Sequence, residues 1–535
     1  MNNFKPCGLN PIVKNPNINI TYDDVLAMTD DEFVEYITIM RAEVYRLWKN
    51  EGIPPSRGWS EDDVTDDFRD LAGFNTSKLW KVDELSGRRV IHNTHVLGNS
   101  VNAWNLDKML RVRINYTEGD NGRSIFDFFA KDDLFQRYIP YAKRHFLRDS
   151  FYFFAQTVKK GDSLPHHDDL KPQTAVEYIA MFNKHTRPYG THELLIEPKP
   201  VDKAYTGYAE HLRDAEFFAL TRDEIRLVME DYQAIPRIAL RLIEPKHRQD
   251  KDNQYLYHVR LYEKGQRLFP AMFKSFRVSM CQYAVNYPPM TAKALYEHFL
   301  PKTQAHVVVW DPSAGWAGRI LGAMATNLTQ ADGTGITLHY IGTDPNPAFY
   351  ANGTSMYASV AEFYNHIRES ESLWDERHTF KVYPCGSEVV RAVPAFQAYK
   401  GKLDLVFTSP PYFAKEAYSE DENQSYKKFP AYDDWKTGFL EKTLATAYEW
   451  LNHDRYLLWN IANVKFGNIT RDIEADSIEI CKKLGFEHTE TILMSLRGMP
   501  GANRVNDDGT ATTHNQCRVD GRRLKFEPVY VFRKP

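Results

Sequence analysis

The apolar run Leu403-Asp-Leu-Val-Phe-Thr-Ser-Pro-Pro-Tyr412-Phe413 stops abruptly at side chains that could hold a planar amino compound. Two prolines stiffen the turn, so the Ser409 hydroxyl and the Pro410 carbonyl can both accept from one exocyclic NH2 group. Pro411 fixes the chain behind them, and the Tyr412 ring offers a face for a base lifted out of its stack. The chemistry of such a set is attack by an amino nitrogen on an activated methyl group. Pro-Pro after a strand is also an ordinary rigid turn, so the upstream context decides.

Upstream, His306-Val-Val-Val-Trp310 runs into Asp311-Pro-Ser-Ala-Gly-Trp-Ala-Gly318-Arg319 and the helical Ile320-Leu-Gly-Ala-Met-Ala325. This predicts strand, glycine turn and helix. Asp311, Ser313, Gly315 and Gly318 are its candidate binding residues: the glycines admit close backbone approach, and the helix N-terminus favours a carboxylate. The spacing is not Gly-x-Gly-x-x-Gly, the dinucleotide fingerprint. A second strand, Leu338-His-Tyr-Ile-Gly-Thr-Asp344, ends in a carboxylate placed to accept from ribose hydroxyls. A plain turn at Asp344-Pro-Asn-Pro347 is the simpler alternative.

Together these residues resemble the amino-group DNA methyltransferases over about residues 276–535. Asp311-Pro-Ser-Ala-Gly315 is similar to the family's first motif, Gly342-Thr-Asp344 to its second and Thr408-Ser-Pro-Pro-Tyr412 to its fourth, while Asn286-Tyr-Pro-Pro-Met290 looks like the motif preceding the first strand. The resemblance implies S-adenosyl-L-methionine as cofactor, a Rossmann-like doubly wound α/β sheet, double-stranded DNA as partner and Ser409, Pro410, Pro411 and Tyr412 at the base. It also implies Ser387, in Tyr383-Pro-Cys-Gly-Ser387, near the adenine, where the family often carries an acidic residue. The cofactor half precedes the catalytic loop, whereas many members with Thr-Ser-Pro-Pro-Tyr have the reverse order. Serine in this loop leans towards cytosine N4, and adenine N6 stays open. RNA or a protein glutamine as substrate, a fused restriction-modification protein and a noncatalytic DNA-binding subunit are the remaining readings, and a restriction nuclease is a further candidate partner.

Methylation at a pyrimidine carbon would need a cysteine nucleophile on the loop after the fourth strand, where Ser409 stands instead. Pro-Cys occurs at Cys7 and Cys385, neither in that place. The polar Glu416–Ser425 segment reads as a lid or a solvated connector. Tyr456–Ile461, Thr491–Leu496 and Pro528–Phe532 supply later strands. A long stretch before the last of them reads as a loop. It carries Arg497, Arg504, Arg518, Arg522, Arg523 and Lys525, and Arg497, Arg504, Arg522 and Arg523 are its candidate DNA contacts.

The 535 residues suffice for about two to four domains. A net charge of -4 and a pI near 6.5 carry no global basic signature, so nucleic-acid contact must use local patches. Five scattered cysteines indicate neither a disulfide framework nor a zinc site, and no metal is expected; a reducing cytoplasm is the natural compartment. No apolar run approaches a membrane span.

Thr29-Asp-Asp-Glu32 is a capping box, followed by Phe33, Ile37, Met40, Val44 and Leu47 at helical spacing and by Gly52 and Pro54 as stops. Residues 266–535 leave little room for an inserted recognition domain, so residues 1–265, read as mixed α/β, are assigned to target recognition by elimination. Within them Leu195-Ile-Glu-Pro-Lys199 recurs as Leu242-Ile-Glu-Pro-Lys246. Glu-x-Lys on a strand is half of many nuclease metal sites, but a proline there would cost a central strand a ladder bond. His166-His-Asp-Asp169 reads as a solvated loop, since adjacent residues on an extended chain point to opposite faces.

Overall fold

The computed structural model describes residues 6, 8–119, 121–149, 152–159, 193–199, 218–221, 254–263, 267–270, 272–273, 276, 280–351, 353–370, 378–496 and 515–535. The chain forms two compact units, and neither follows the expected cut near residue 265. Residues 58–127 belong with 282–535, and residues 10–57 belong with 128–281. The reason is strand pairing: segments from the N-terminal half complete the C-terminal sheet.

That sheet contains β1 (Trp80–Val82), β2 (Arg89–Ile91), β4 (His306–Asp311), β5 (Thr337–Thr343), β6 (Thr379–Tyr383), β7 (Leu403–Thr408), β9 (Leu451–Asn460), β10 (Glu487–Leu496), β11 (Gln516–Val519) and β12 (Arg522–Lys534). Two short strands outside it, β3 (Arg113–Ile114) and β8 (Glu416–Ala417), pair with each other. The main order is β1-β2-β10-β12-β9-β7-β4-β5-β6, with β11 paired to β12. β6, β5, β4, β7 and β9 run parallel, and β12 lies antiparallel between β9 and β10. The parallel strands read as apolar runs because helices cover both faces. Every residue of β7 is buried.

Crossover helices Gly318–Met324, Met356–Ser370, Glu441–Trp450 and Ile473–Leu484 join successive strands. From β4 the chain winds outward to β5 and β6 on one side, then to β7 and β9 on the other. The switch point lies between β4 and β7, where a crevice opens beyond the carboxyl ends of the strands.

Gln516–Val519 and Arg522–Lys534 form a hairpin where a loop is expected. Its turn is Asp520-Gly521, both residues with positive φ, the geometry of a two-residue hairpin. Arg522 and Arg523 therefore stand on a paired strand. Arg497, Arg504 and His166–Asp169 lie outside the described residues.

The other unit holds a helix over Asp30–Glu51. Both bonds of its capping box are present, and Gly52 closes it at φ 70. A four-stranded antiparallel sheet follows, in the order 152–159, 254–263, 193–199, 218–221. Pro198 is part of a strand after all, paired with Val259 of the neighbouring strand. The second copy of that motif lies outside the described residues. Among the described residues, no helix is long and apolar enough to cross a membrane, and no group of three or more His, Cys, Asp or Glu could hold a metal ion.

Candidate active site

A cavity of about 500 Å³ occupies the crevice. Its floor is laid by the residues following each parallel strand: Ser313 and Gly315 after β4, Asp344 after β5, Ser387 after β6, Ser409 after β7 and Asn460 closing β9. The glycine turn and the Ser-Pro-Pro-Tyr loop thus share one space, although nearly a hundred residues separate them in the chain.

The turn after β4 is built by braces. Gly315 has φ +57, and a Cβ there would meet nothing closer than 3.7 Å, so glycine serves conformation and leaves the cradle open. Its N–H donates to the Asp344 carboxylate at 3.0 Å, and its carbonyl accepts from the Tyr357 hydroxyl at 2.7 Å. The carboxylate also accepts from the Asn346 N–H at 2.9 Å. Burial lifts the Asp344 carboxyl to about 6, against the pull of these donors.

Gly318 lines the cavity too, and it has a packing reason to be glycine besides. A Cβ there would fall 2.2 Å from the Tyr287 carbonyl oxygen and 2.3 Å from the Asn286 side chain. Its N–H donates to Asn286 Oδ1 at 3.0 Å, so this donor of the helix N-terminus is already spent. The Asn286 amide in turn donates to the Trp316 carbonyl at 2.8 Å, where Asn105 also donates at 2.6 Å. The Asn286-Tyr-Pro-Pro-Met290 motif therefore fastens the glycine turn. Ala317 is held at φ 66, a conformation costing a non-glycine residue about 1–2 kcal/mol.

Asp311 does not line the cavity. It is buried, paired with Arg319 at 2.8 and 3.2 Å, and accepts from the Tyr340 hydroxyl at 2.7 Å and the Ser313 N–H at 3.1 Å. It is a brace under the turn and has no exposed face for a ligand.

Ser387 lines the cavity and shares a 2.8 Å hydrogen bond with the Thr443 hydroxyl. The adjacent Glu388 lines it too, its buried carboxylate paired with Lys428 at 2.8 Å. The cavity thus carries an acid one residue beyond the serine that the sequence singles out. Burial pushes the nearby Cys385 thiol up to about 11, far from the thiolate that a nucleophile requires.

Opposite the turn, Ser409, Pro410, Pro411 and Tyr412 all line the cavity. The loop is pinned just beyond: Phe413, at φ 53 and buried, packs on Tyr432 and Trp435. The Asn115 amide donates to the Ala414 carbonyl at 2.7 Å, the Asn115 N–H to the Lys415 carbonyl at 2.9 Å, and β3 pairs with β8. The segment after the loop is thus a clamped wall: Tyr418, Asn423 and Gln424 line the cavity.

Sequence reasoning missed Glu416 and Glu527, two carboxyls lining the cavity beside Tyr412. Burial, then the Glu416 charge, hold the Glu527 carboxyl up at about 7, while a hydrogen bond from Tyr412 pulls it down. Burial also raises Glu416, which accepts from the Tyr418 hydroxyl. Asn460 was missed as well. Its amide nitrogen donates to the Pro528 carbonyl at 2.8 Å, and its oxygen is buried without a partner. An acid directly before the expected strand Pro528–Phe532 is the available signal for Glu527.

No family model matches the chain, and no curated protein matches it. Solved structures match parts of the chain at low identity. One is described as a DNA modification methylase from Thermus thermophilus: 19% identity, 28% of this chain and 51% of that one, TM-score 0.19. The same protein complexed with S-adenosyl-L-methionine gives 22% identity, 28% and 52% coverage and a TM-score of 0.17. A TehB-like S-adenosylmethionine-dependent methyltransferase from Corynebacterium glutamicum gives 13% identity, 47% and 89% coverage and a TM-score of 0.23. The match spans about half the length of the first of these proteins. Likeness at this level carries nothing about role or substrate.

The class defined is therefore one of fold: the C-terminal half bears a mostly parallel, doubly wound, Rossmann-like α/β sheet. S-adenosylmethionine is the cofactor that the sequence resemblance implies for it. The cavity fits that cofactor chemically. It offers an open glycine cradle, a buried carboxylate beneath the cradle, and buried polar atoms without partners at Thr291 and Gln424. Its volume is that of an ordinary small-molecule site.

Proposed function

We propose that the protein transfers a methyl group from S-adenosylmethionine to the exocyclic amino nitrogen of a base flipped out of double-stranded DNA, cytosine N4 or adenine N6. The observation that carries this reading is the convergence of the Ser-Pro-Pro-Tyr loop and the Gly315 turn on one cavity. The cofactor, when bound, supplies a methyl carbon made electrophilic by a sulfonium charge.

The chain's own residues do the rest. The Ser313–Gly315 turn and Asp344 hold the methionine and ribose parts, with Ser387 and Glu388 beside the adenine. Ser409 and the Pro410 carbonyl accept from the substrate NH2, and Tyr412 stacks on the base. Enclosure excludes water and holds nitrogen and methyl within reach. The unit formed by 10–57 and 128–281 is assigned to target recognition, with Arg522 and Arg523 as candidate phosphate contacts.

The test is incubation with tritiated-methyl S-adenosylmethionine and, side by side, unmodified duplex DNA, RNA and a mixed protein substrate. Label on the duplex alone supports the reading. Label on RNA or protein, with none on DNA, overturns it.

A further inference from the structure

We infer that Glu527 is the proton acceptor of this site, taking the proton that the amino nitrogen sheds as it gains its methyl group. The inference rests on the amino-methylation reading above and adds a step to it.

A methylated amino group must lose a proton to become neutral again. The amino nitrogen bonds the methyl carbon with its own lone pair, while the former carbon–sulfur pair stays on sulfur. Its surplus N–H proton leaves the bonding pair on nitrogen and passes to a Glu527 carboxylate oxygen, which becomes a neutral carboxyl. Ser409 and the Pro410 carbonyl can accept hydrogen bonds, but both are far too weak as bases to keep the proton.

Glu527 is the cavity's better-placed group. It stands on β12 beside the carboxyl end of β9, whose Asn460 follows the register partner of Thr408 on β7. Glu527, Tyr412 and Ser409 line the same cavity, and Tyr412 interacts electrostatically with both Glu527 and Ser409, so the carboxyl shares the space of the loop that would hold the amino group. Asn460 gives an independent sign of a ligand: it is fully buried, lines the cavity, and its side-chain oxygen has no partner. A substrate N–H would satisfy it.

The electrostatics suit an acceptor working near neutrality. Glu527 faces Glu416, Tyr412 and Tyr287; behind Glu416 stand Tyr418 and Lys415, and His95 lines the cavity wall. Among the described residues no cation pulls on Glu527 directly. Two carboxyls lining one half-buried cavity do not both ionise cheaply, so the Glu416 charge adds to burial in raising Glu527. Glu416 therefore tunes its neighbour.

The test uses Glu527→Gln and Glu416→Gln in the full chain. Single-turnover methylation of duplex DNA between about pH 5 and about pH 9 is expected to rise to a plateau near neutrality in the wild type. Glu527→Gln should lower the plateau about 100-fold or more and flatten the profile, while calorimetric affinity for S-adenosylmethionine holds. Glu416→Gln should fold and shift the profile towards acid. Infrared titration of the protein alone gives a readout without turnover: a carboxyl band lost near pH 7 in the wild type and absent in Glu527→Gln. A wild-type rate and profile in Glu527→Gln, or no such band, overturns the assignment. An inactive wild type with the band intact sinks the DNA substrate and leaves the proton site standing.

Discussion

The Gly315 N–H donates to the Asp344 carboxylate at 3.0 Å, so the acid closing the second parallel strand holds the turn that closes the first. One group thus shapes the cradle and supplies the acceptor expected to meet a ribose. Asp344→Ala should weaken S-adenosylmethionine binding by about 1–3 kcal/mol, the scale of a hydrogen bond to a charged group. Isothermal calorimetry measures it, and unchanged affinity would remove Asp344 from the site.

Asp311 should behave otherwise. Its carboxylate answers the buried Arg319 guanidinium, and Asp311→Asn leaves that charge uncompensated. Breaking such a pair costs about 3–5 kcal/mol, so the variant should lose most of its margin against denaturant. A variant of wild-type stability that fails only in cofactor binding would return Asp311 to the ligand role.

The clamp on the catalytic loop is testable away from the chemistry. Asn115→Ala removes a bond to the Ala414 carbonyl and should cost about 1–3 kcal/mol by leaving that carbonyl short of a partner. Hydrogen exchange should quicken in residues 412–418. Exchange that stays as slow as in the wild type would show the loop held by its prolines and Phe413 alone.

The raised carboxyls make stability fall with pH. Below about 4 both the folded and the unfolded chain hold the Glu527 proton; between that range and about 7 only the folded chain does. The native state then binds more protons, so this contribution is lost as pH climbs through about 7. His378, pushed down to about 3 by burial, acts in the opposite sense, so total stability is a poor readout. The difference in Tm between wild type and Glu527→Gln isolates the acid. It should turn against the wild type as pH rises from about 5 to about 8, and a difference constant with pH contradicts the assignment.

The parts legible in sequence were those written by local rules. The strands from His306, Leu338, Leu403 and Thr491 announced themselves as apolar runs, and the Thr29 box named its helix. What stayed hidden was whatever depended on partners distant in the chain. β2 reads as a stray apolar pair until Leu493 and Met494 lie beside Val90 and Ile91. Gly318 lines the cavity, and its second purpose stays hidden because Asn286, the group that needs its missing Cβ, lies upstream in the chain. Glu416 and Glu527 are ordinary glutamates in sequence and become a pair only when β12 inserts between β9 and β10. The hairpin at Asp520-Gly521 was local and could have been read from its turn residues.

The central claim is that Ser409 and Tyr412 present a base amino group to a methyl donor. Its most direct test is nucleoside mass spectrometry of duplex DNA incubated with S-adenosylmethionine and either wild type or the Ser409→Ala/Tyr412→Ala double variant. The account predicts N4-methylcytosine or N6-methyladenine from the wild type and none from the variant, with cofactor affinity retained. Methylated bases at equal yield from both, or no methylated base from a wild type that binds the cofactor, would contradict it.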